Sequence, residues 1–162
     1  MLPGGKAGPV RGVVPGMTTT PEKIVYTAVA TTVGGRRGGH ATSSDGNLDL
    51  DLTAPKEVGG PGTGTNPEQL FAAGYSACFN SAFLGVAKQA GAKADDAHVT
   101  AKVGFGPAGQ GYALTVDLEV AVPGLELAQV QELADQAHQV CPYSNAIRGN
   151  VPTTVTAVAP AA

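Results

Sequence analysis

The order of apolar and polar positions predicts most of the elements before any chemistry is considered. The run KIVYTAVATTV, residues 23–33, is rich in β-branched side chains and reads as a strand. The glycine-flanked GGRRGG that follows predicts a turn, with a second strand over residues 40–44. Asp45-Gly46 is a hairpin signal. Beyond it NLDLDLT, residues 47–53, alternates strictly, so Leu48, Leu50 and Leu52 face a core and Asp49 and Asp51 face water. These three strands form an N-terminal meander. The glycine-packed stretch 55–65 is a loop, and Asn66-Pro67-Glu68 is a helix start: Asn accepts orphan N–H groups, Pro fits the first turn, and a carboxylate meets the positive dipole end.

From Gln69 to Ala87 there is no charged side chain. A run this rich in Ala, Gly and Ser predicts a helix packed on all sides. It is long enough to suggest a membrane span, but Tyr75, Ser76, Asn80 and Ser81 cluster at its middle and glycines interrupt it, which favours a buried helix. Residues 99–105 and 112–122 read as two strands joined by the GPAGQG turn. Apolar positions 130, 133, 134, 137 and 140 then keep helical spacing until Pro142 stops the helix, with Cys141 at its last turn. A final strand over residues 153–158 completes the order βββ-α-ββ-α-β, an α+β class.

Composition narrows the possibilities. A chain of 162 residues is one domain by length, and residues 1–21, with their prolines and glycines and no apolar block of signal-peptide length, read as a flexible extension before a single domain over 22–162. A net charge of -3 with 14% charged residues argues against nucleic acid and anionic membranes as partners. With no Trp and four each of Tyr and Phe, the core falls to Val, Leu and Ala, and packing against a partner subunit is expected. Two cysteines without a secretory leader suggest a cytoplasmic dithiol rather than a disulfide framework.

A thiol with a pKa near 8.5 is only about 3% thiolate at neutral pH, so a working cysteine needs positive charge or a helix N-terminus nearby. Cys141 ends a helix, where the dipole disfavours thiolate, whereas Cys78 is activated if a cation reaches it. The nearest basic candidates before it are Arg36 and Arg37 in the GGRRGG turn.

Three separated motifs, the GGR turn, NPEQLFAAGYSACF and VCPYSNAIRGN, occur in order, and together they resemble the organic hydroperoxide resistance branch of the Ohr/OsmC family over residues 23–158. The resemblance implies an OsmC-like fold, with antiparallel sheets around two central helices in an intertwined homodimer. It implies a thiol-dependent peroxidase that reduces organic hydroperoxides, with no bound cofactor and with a lipoyl or dihydrolipoamide-type dithiol, free or on a lipoylated protein, as reductant. By the same resemblance Cys78 is the peroxidatic thiol, Cys141 the resolving thiol that closes a disulfide with it, and Arg36 and Glu68 the polar pair that holds the thiolate.

On one straight helix Glu68 and Cys78 stand about 15 Å apart along the axis, too far to share a site. The helix therefore either breaks, with Gly74-Tyr75-Ser76 the natural place and Ser76 a new N-cap that puts Cys78 in a first turn, or the groups meet across chains; the break is the favoured expectation. Phe71, Phe79, Phe83, Val130 and Leu133 are expected to form a greasy channel for alkyl chains. Three alternatives stand beside this reading. One is a metal site of His138, Cys141, Cys78 and His40, without a CxxC or HxxxH pair in support; otherwise His40 is a solvent-facing strand residue and His138 a helix-surface one. Another is a non-enzymatic ligand-binding domain with a structural disulfide contributing about 4 kcal/mol. The last is an OsmC-type peroxidase of different peroxide range.

Overall fold

The computed structural model describes residues 19–161, so the extension expected over 1–21 lies, apart from residues 19–21, outside the described residues. A first sheet runs β1 (Ala30–Gly35), β2 (Gly38–Ser43) and β3 (Asp49–Leu52), antiparallel and in that order. Gly35 pairs with Gly38, which leaves Arg36 and Arg37 as a two-residue turn. Gly34 has φ +77 and a Cβ there would lie 2.4 Å from the Gly38 carbonyl oxygen, so the tight base of this hairpin admits only glycine. Leu52 is buried while Asp49 and Asp51 are exposed, as the alternation requires.

The first strand is shorter than its composition suggests. β-branched residues favour strand only where another strand offers hydrogen bonds, and β2 ends at Ser43, opposite Ala30. Residues 23–29 are therefore outside the ladder, and Ile24 and Val25 stand 66% and 89% exposed.

α1 (Pro67–Gln89) is one unbroken helix of 23 residues. Asn66 caps it by accepting from the Gln69 N–H at 2.9 Å. The break expected at Gly74-Tyr75-Ser76 does not occur: the Ser76 hydroxyl donates back to the Ala73 carbonyl, a contact made inside a helix rather than at its start. Gly74 has another purpose, since a Cβ there would lie 2.9 Å from the Tyr143 hydroxyl. Nor is the helix covered on every side. Tyr75, Phe79, Phe83 and Ala87, four apart, form its buried stripe, while Ala73, Ala77, Ser81, Leu84 and Gly85 are exposed. By length and composition α1 could cross a membrane; here its buried stripe is the centre of a mixed α+β core.

The second sheet holds β4 (His98–Ala108), β5 (Gly111–Ala121) and β6 (Thr153–Ala157). β4 and β5 form a long antiparallel hairpin, as expected, while β6 adds to β5 in parallel. The reason is the connection: α2 (Leu127–Val140) and α3 (Pro142–Ile147) carry the chain back to the end of the sheet where β5 began. Pro142 does end α2, but it also opens α3, because its fixed φ suits a first helical position. The order is thus βββ-α-ββ-αα-β. α1 and α2 pack on the second sheet, with Val116, Leu118, Val120 and Val122 facing Phe79, Phe83, Val130, Leu133, Ala134 and Ala137.

Candidate active site

The Arg36 turn closes over the start of α1. Its guanidinium donates to both oxygens of Glu68, Nη1 to Oε2 at 2.5 Å and Nη2 to Oε1 at 2.7 Å, a bidentate pair. The same plane lies 4.3 Å from the Phe105 ring, which stacks in turn on Tyr112 at 4.8 Å. Arg36 holds the Glu68 carboxyl below its ordinary range, chiefly through this hydrogen bond. Arg37 is exposed, so of the two turn arginines it is Arg36 that faces inward. Beside the pair is a cavity of about 300 Å³ whose walls include Phe71, Phe105, Tyr112 and Leu114.

The two cysteines meet at a second place on α1. Cys141 Sγ is 3.8 Å from Cys78 Sγ and both thiols are free. Cys141 is wholly buried at the junction of α2 and α3, where it ends one helix and precedes the other. Cys78 is half-buried at mid-helix. The Tyr143 backbone N–H, in the first turn of α3, acts to lower the Cys78 thiol, whereas the helix N-terminus that a broken α1 was expected to place there is absent. Burial nevertheless pushes the Cys78 thiol up; the Tyr143 N–H opposes this and the neighbouring Cys141 adds to it.

The structure brings together Cys78 with Cys141, and Arg36 with Glu68, but not one pair with the other. Ten residues of continuous helix separate Glu68 from Cys78, about 15 Å of rise. Within one chain the groups that act on the Cys78 thiol are burial, Tyr143 and Cys141, with no arginine among them.

The expected channel is corrected at most positions. Phe79, Phe83, Val130 and Leu133 are core residues between 0% and 4% exposed, packed against β5 and one another, and none lines the cavity beside Arg36. Only Phe71 does. Nor do the four possible metal ligands assemble, although Cys78 and Cys141 are adjacent. His40 lies on the first sheet, its ring bridged between Asp49 and Asp51 at 2.7 Å each. His138 is half-buried rather than on the surface, and its Nδ1 is 2.8 Å from the Ser144 hydroxyl. Among the described residues no group of three or more His, Cys, Asp or Glu could hold a metal ion.

Sequence reasoning missed Tyr143, Ser144, Phe105 and Tyr112 as neighbours of the site and weighed His138 only as a metal ligand. Tyr143 and Ser144 stand inside the VCPYSNAIRGN motif, where adjacency to Cys141 was the available signal. Nothing in the sequence marks Phe105 and Tyr112, because their stacking depends on where Arg36 folds back across β4 and β5.

Known proteins resemble this chain over most of its length. The family model described as OsmC-like protein matches residues 60–156. An organic hydroperoxide resistance protein of Xanthomonas axonopodis pv. citri is 52% identical over 139 residues, covering 85% of this chain and 97% of the relative. One from Bacillus subtilis is 44% identical over 129 residues, 78% of this chain and 93% of the relative. The crystal structure of an organic hydroperoxide resistance protein from Legionella pneumophila superposes with a TM-score of 0.79 at 46% identity, covering 83% of this chain and 98% of that one.

Proposed function

We propose, from the premise that this chain belongs to the Ohr/OsmC family and resembles its organic hydroperoxide resistance proteins, that it is a thiol-dependent peroxidase reducing organic hydroperoxides to alcohols. The observation that carries the reading is the pair of free thiols 3.8 Å apart. In the first step the Cys78 thiolate attacks the outer peroxide oxygen. The O–O bond breaks, the alkoxide takes a proton and leaves as the alcohol, and Cys78 becomes a sulfenic acid. In the second step Cys141 attacks that sulfur; its proton and the sulfenic hydroxyl leave as water, and a Cys78–Cys141 disulfide forms. A dithiol of the lipoyl type, free or protein-bound, then exchanges with the disulfide and restores both thiols.

The raised thiol of the isolated chain needs a cation, and the geometry favours a second copy as its source. α1 leaves an uncharged face exposed, and Ile24, Val25, Tyr26 and Val29 stand more than half exposed, as expected of surfaces that a homodimer would cover. We place Arg36 and Glu68 of one chain against Cys78 of the other, the arrangement that is left for this pair to act on the thiol when α1 is unbroken. The cavity walled by Phe71, Phe105, Tyr112 and Leu114 then takes the alkyl group beside the reacting thiol. Two free thiols so close together suit a reducing cytoplasm.

Stopped-flow mixing with one equivalent of cumene hydroperoxide tests the assignment. Cys78→Ser should abolish peroxide consumption, while Cys141→Ser should react once and accumulate the sulfenic acid. Equal loss of the first turnover in both variants would refute it, and a rate for hydrogen peroxide equal to that for cumene hydroperoxide would refute the apolar substrate site.

A further inference from the structure

Beside the thiol pair lies a closed polar unit that the peroxidase cycle leaves without a role. The Ser144 hydroxyl is 2.7 Å from the Tyr75 phenol oxygen and 2.8 Å from His138 Nδ1. Tyr75 and Ser144 are wholly buried. A buried hydroxyl is costly unless it finds partners, and here both do.

Its placement repeats that of the thiols. Tyr75 precedes Cys78 by three residues on α1, His138 precedes Cys141 by three on α2, and Ser144 follows Cys141 by three on α3. Residues three apart share a helix face, so the unit spans α1 to α2 and α3 alongside the 3.8 Å sulfur pair. Burial, with Arg148 second, pushes the His138 imidazole down and so favours its neutral form. In a neutral ring Nδ1 either accepts the Ser144 O–H while the Ser144 oxygen accepts the Tyr75 O–H, or donates to Ser144, which then donates to Tyr75; either way each bond has one proton. Arg148 ties the same end of α2 to α3 by donating to the His138 carbonyl and to Asn145 Oδ1, both at 2.6 Å.

We propose that Ser144, held between Tyr75 and His138, is a positioning residue for the redox pair: it fixes the helices that carry Cys78 and Cys141 at the separation from which the disulfide closes. The proposal rests on the reading of these cysteines as a redox pair. It adds that their effective concentration is set by a hydrogen-bonded brace rather than by apolar packing alone. The brace takes part in no bond change. In closure Cys78 sulfenic acid and Cys141 thiol give the disulfide and water, and the brace only lowers the freedom that closure must remove.

The test is the equilibrium of the Cys78–Cys141 disulfide with glutathione buffers, a readout that needs no peroxide. Ser144→Ala and Tyr75→Phe should each lower the equilibrium constant for disulfide formation about tenfold, or about 30 mV for this two-electron couple. The double variant should fall no further, because the brace acts as one unit. With cumene hydroperoxide, Cys78 oxidation should keep its rate while disulfide closure slows and dimedone traps the sulfenic acid. Equilibrium constants within about twofold of the parent, even with a lowered Tm, would reduce the unit to ordinary core structure and overturn the proposal. So would a parent protein that forms no intramolecular disulfide in glutathione. Should Ser144→Ala fail to fold, Tyr75→Phe removes the other end of the brace and decides alone. A shifted equilibrium in a protein inert to hydroperoxide would sink the peroxidase reading and leave the brace standing.

Discussion

Replacing Glu68 by Gln separates the β1–β2 hairpin from α1 at one defined contact. The pair is bidentate, with side-chain exposures of 32% for Arg36 and 15% for Glu68. Hydrogen bonds to charged groups contribute about 1.5 to 3 kcal/mol when sheltered, whereas exposed ion pairs contribute under about 1 kcal/mol. Partial exposure puts this pair between the two, at roughly 1 to 2 kcal/mol. For a domain of this length that corresponds to a fall in Tm of about 2 to 8 °C. The pH dependence gives a second check. The folded carboxyl lies below its ordinary value because Arg36 hydrogen-bonds the ionised form. Its stabilisation is therefore fully present above the unfolded Glu pKa of about 4.3 and is lost as pH falls through the lowered folded value. Urea unfolding at fixed protein concentration, compared between the parent and Glu68→Gln at pH 7 and in acid, should show a gap that closes once the carboxyl protonates. Arg36→Lys should recover less than half of the gap, because an ammonium neither forms the fork nor lies flat on Phe105. A gap that persists undiminished in acid, or one below about 0.3 kcal/mol at pH 7, would show that the contact does not anchor the hairpin.

Two further outcomes follow from the packing and the charge distribution. Phe79→Ala empties the centre of the core, where Phe79 is wholly buried, and should cost about 3 to 5 kcal/mol in urea unfolding; a loss under about 1 kcal/mol would mean that the site collapses to fill the space. At His40 the Asp51 hydrogen bond, with Asp49 beside it, raises the imidazole pKa, so its small contribution is present below the unfolded value of about 6.5 and disappears as pH rises through the folded value. NMR titration of the His40 ring in the parent and in Asp51→Asn should show the pKa fall in the variant, and an unchanged titration would contradict the bridge.

Much of the architecture was legible because local pattern and tertiary packing agreed. The alternation of Leu48, Leu50 and Leu52 located β3, the Asn66 cap located the start of α1, and the helical spacing of Val130, Leu133, Ala134 and Ala137 located α2. The failures came where one local signal had two physical causes. Gly74 reads as a helix breaker, yet a helical glycine costs only about 1 kcal/mol, and here it makes room for the Tyr143 hydroxyl. Residues 23–29 carry strand composition, but composition cannot supply the neighbouring strand. Phe79, Phe83, Val130 and Leu133 were candidate channel walls because periodicity marks a residue as inward without distinguishing a filled interior from a cavity. The thiol pairing followed from family resemblance rather than from periodicity. Its neighbours Tyr75, Ser144 and His138 become a unit only when three helices converge.

The location of Cys141 between α2 and α3 divides stiffness unequally between the two sulfurs. Cys78 is held at mid-helix by hydrogen bonds on both sides of it, and its sulfur can move only as far as its side chain turns. Cys141 has φ -65 and ψ 124, an extended link between two short rigid rods. To form a bond, the sulfurs must approach by about 1.8 Å, from 3.8 Å to about 2.05 Å, and most of that travel falls to the softer side. If Cys78 and Cys141 form a disulfide as proposed, the travel is taken up at Cys141 while Ser144 keeps α3 on its neighbours, and the Tyr143 N–H would change its distance to Cys78. Amide exchange at Tyr143 would thus read the oxidation state of a sulfur to which it is not covalently attached.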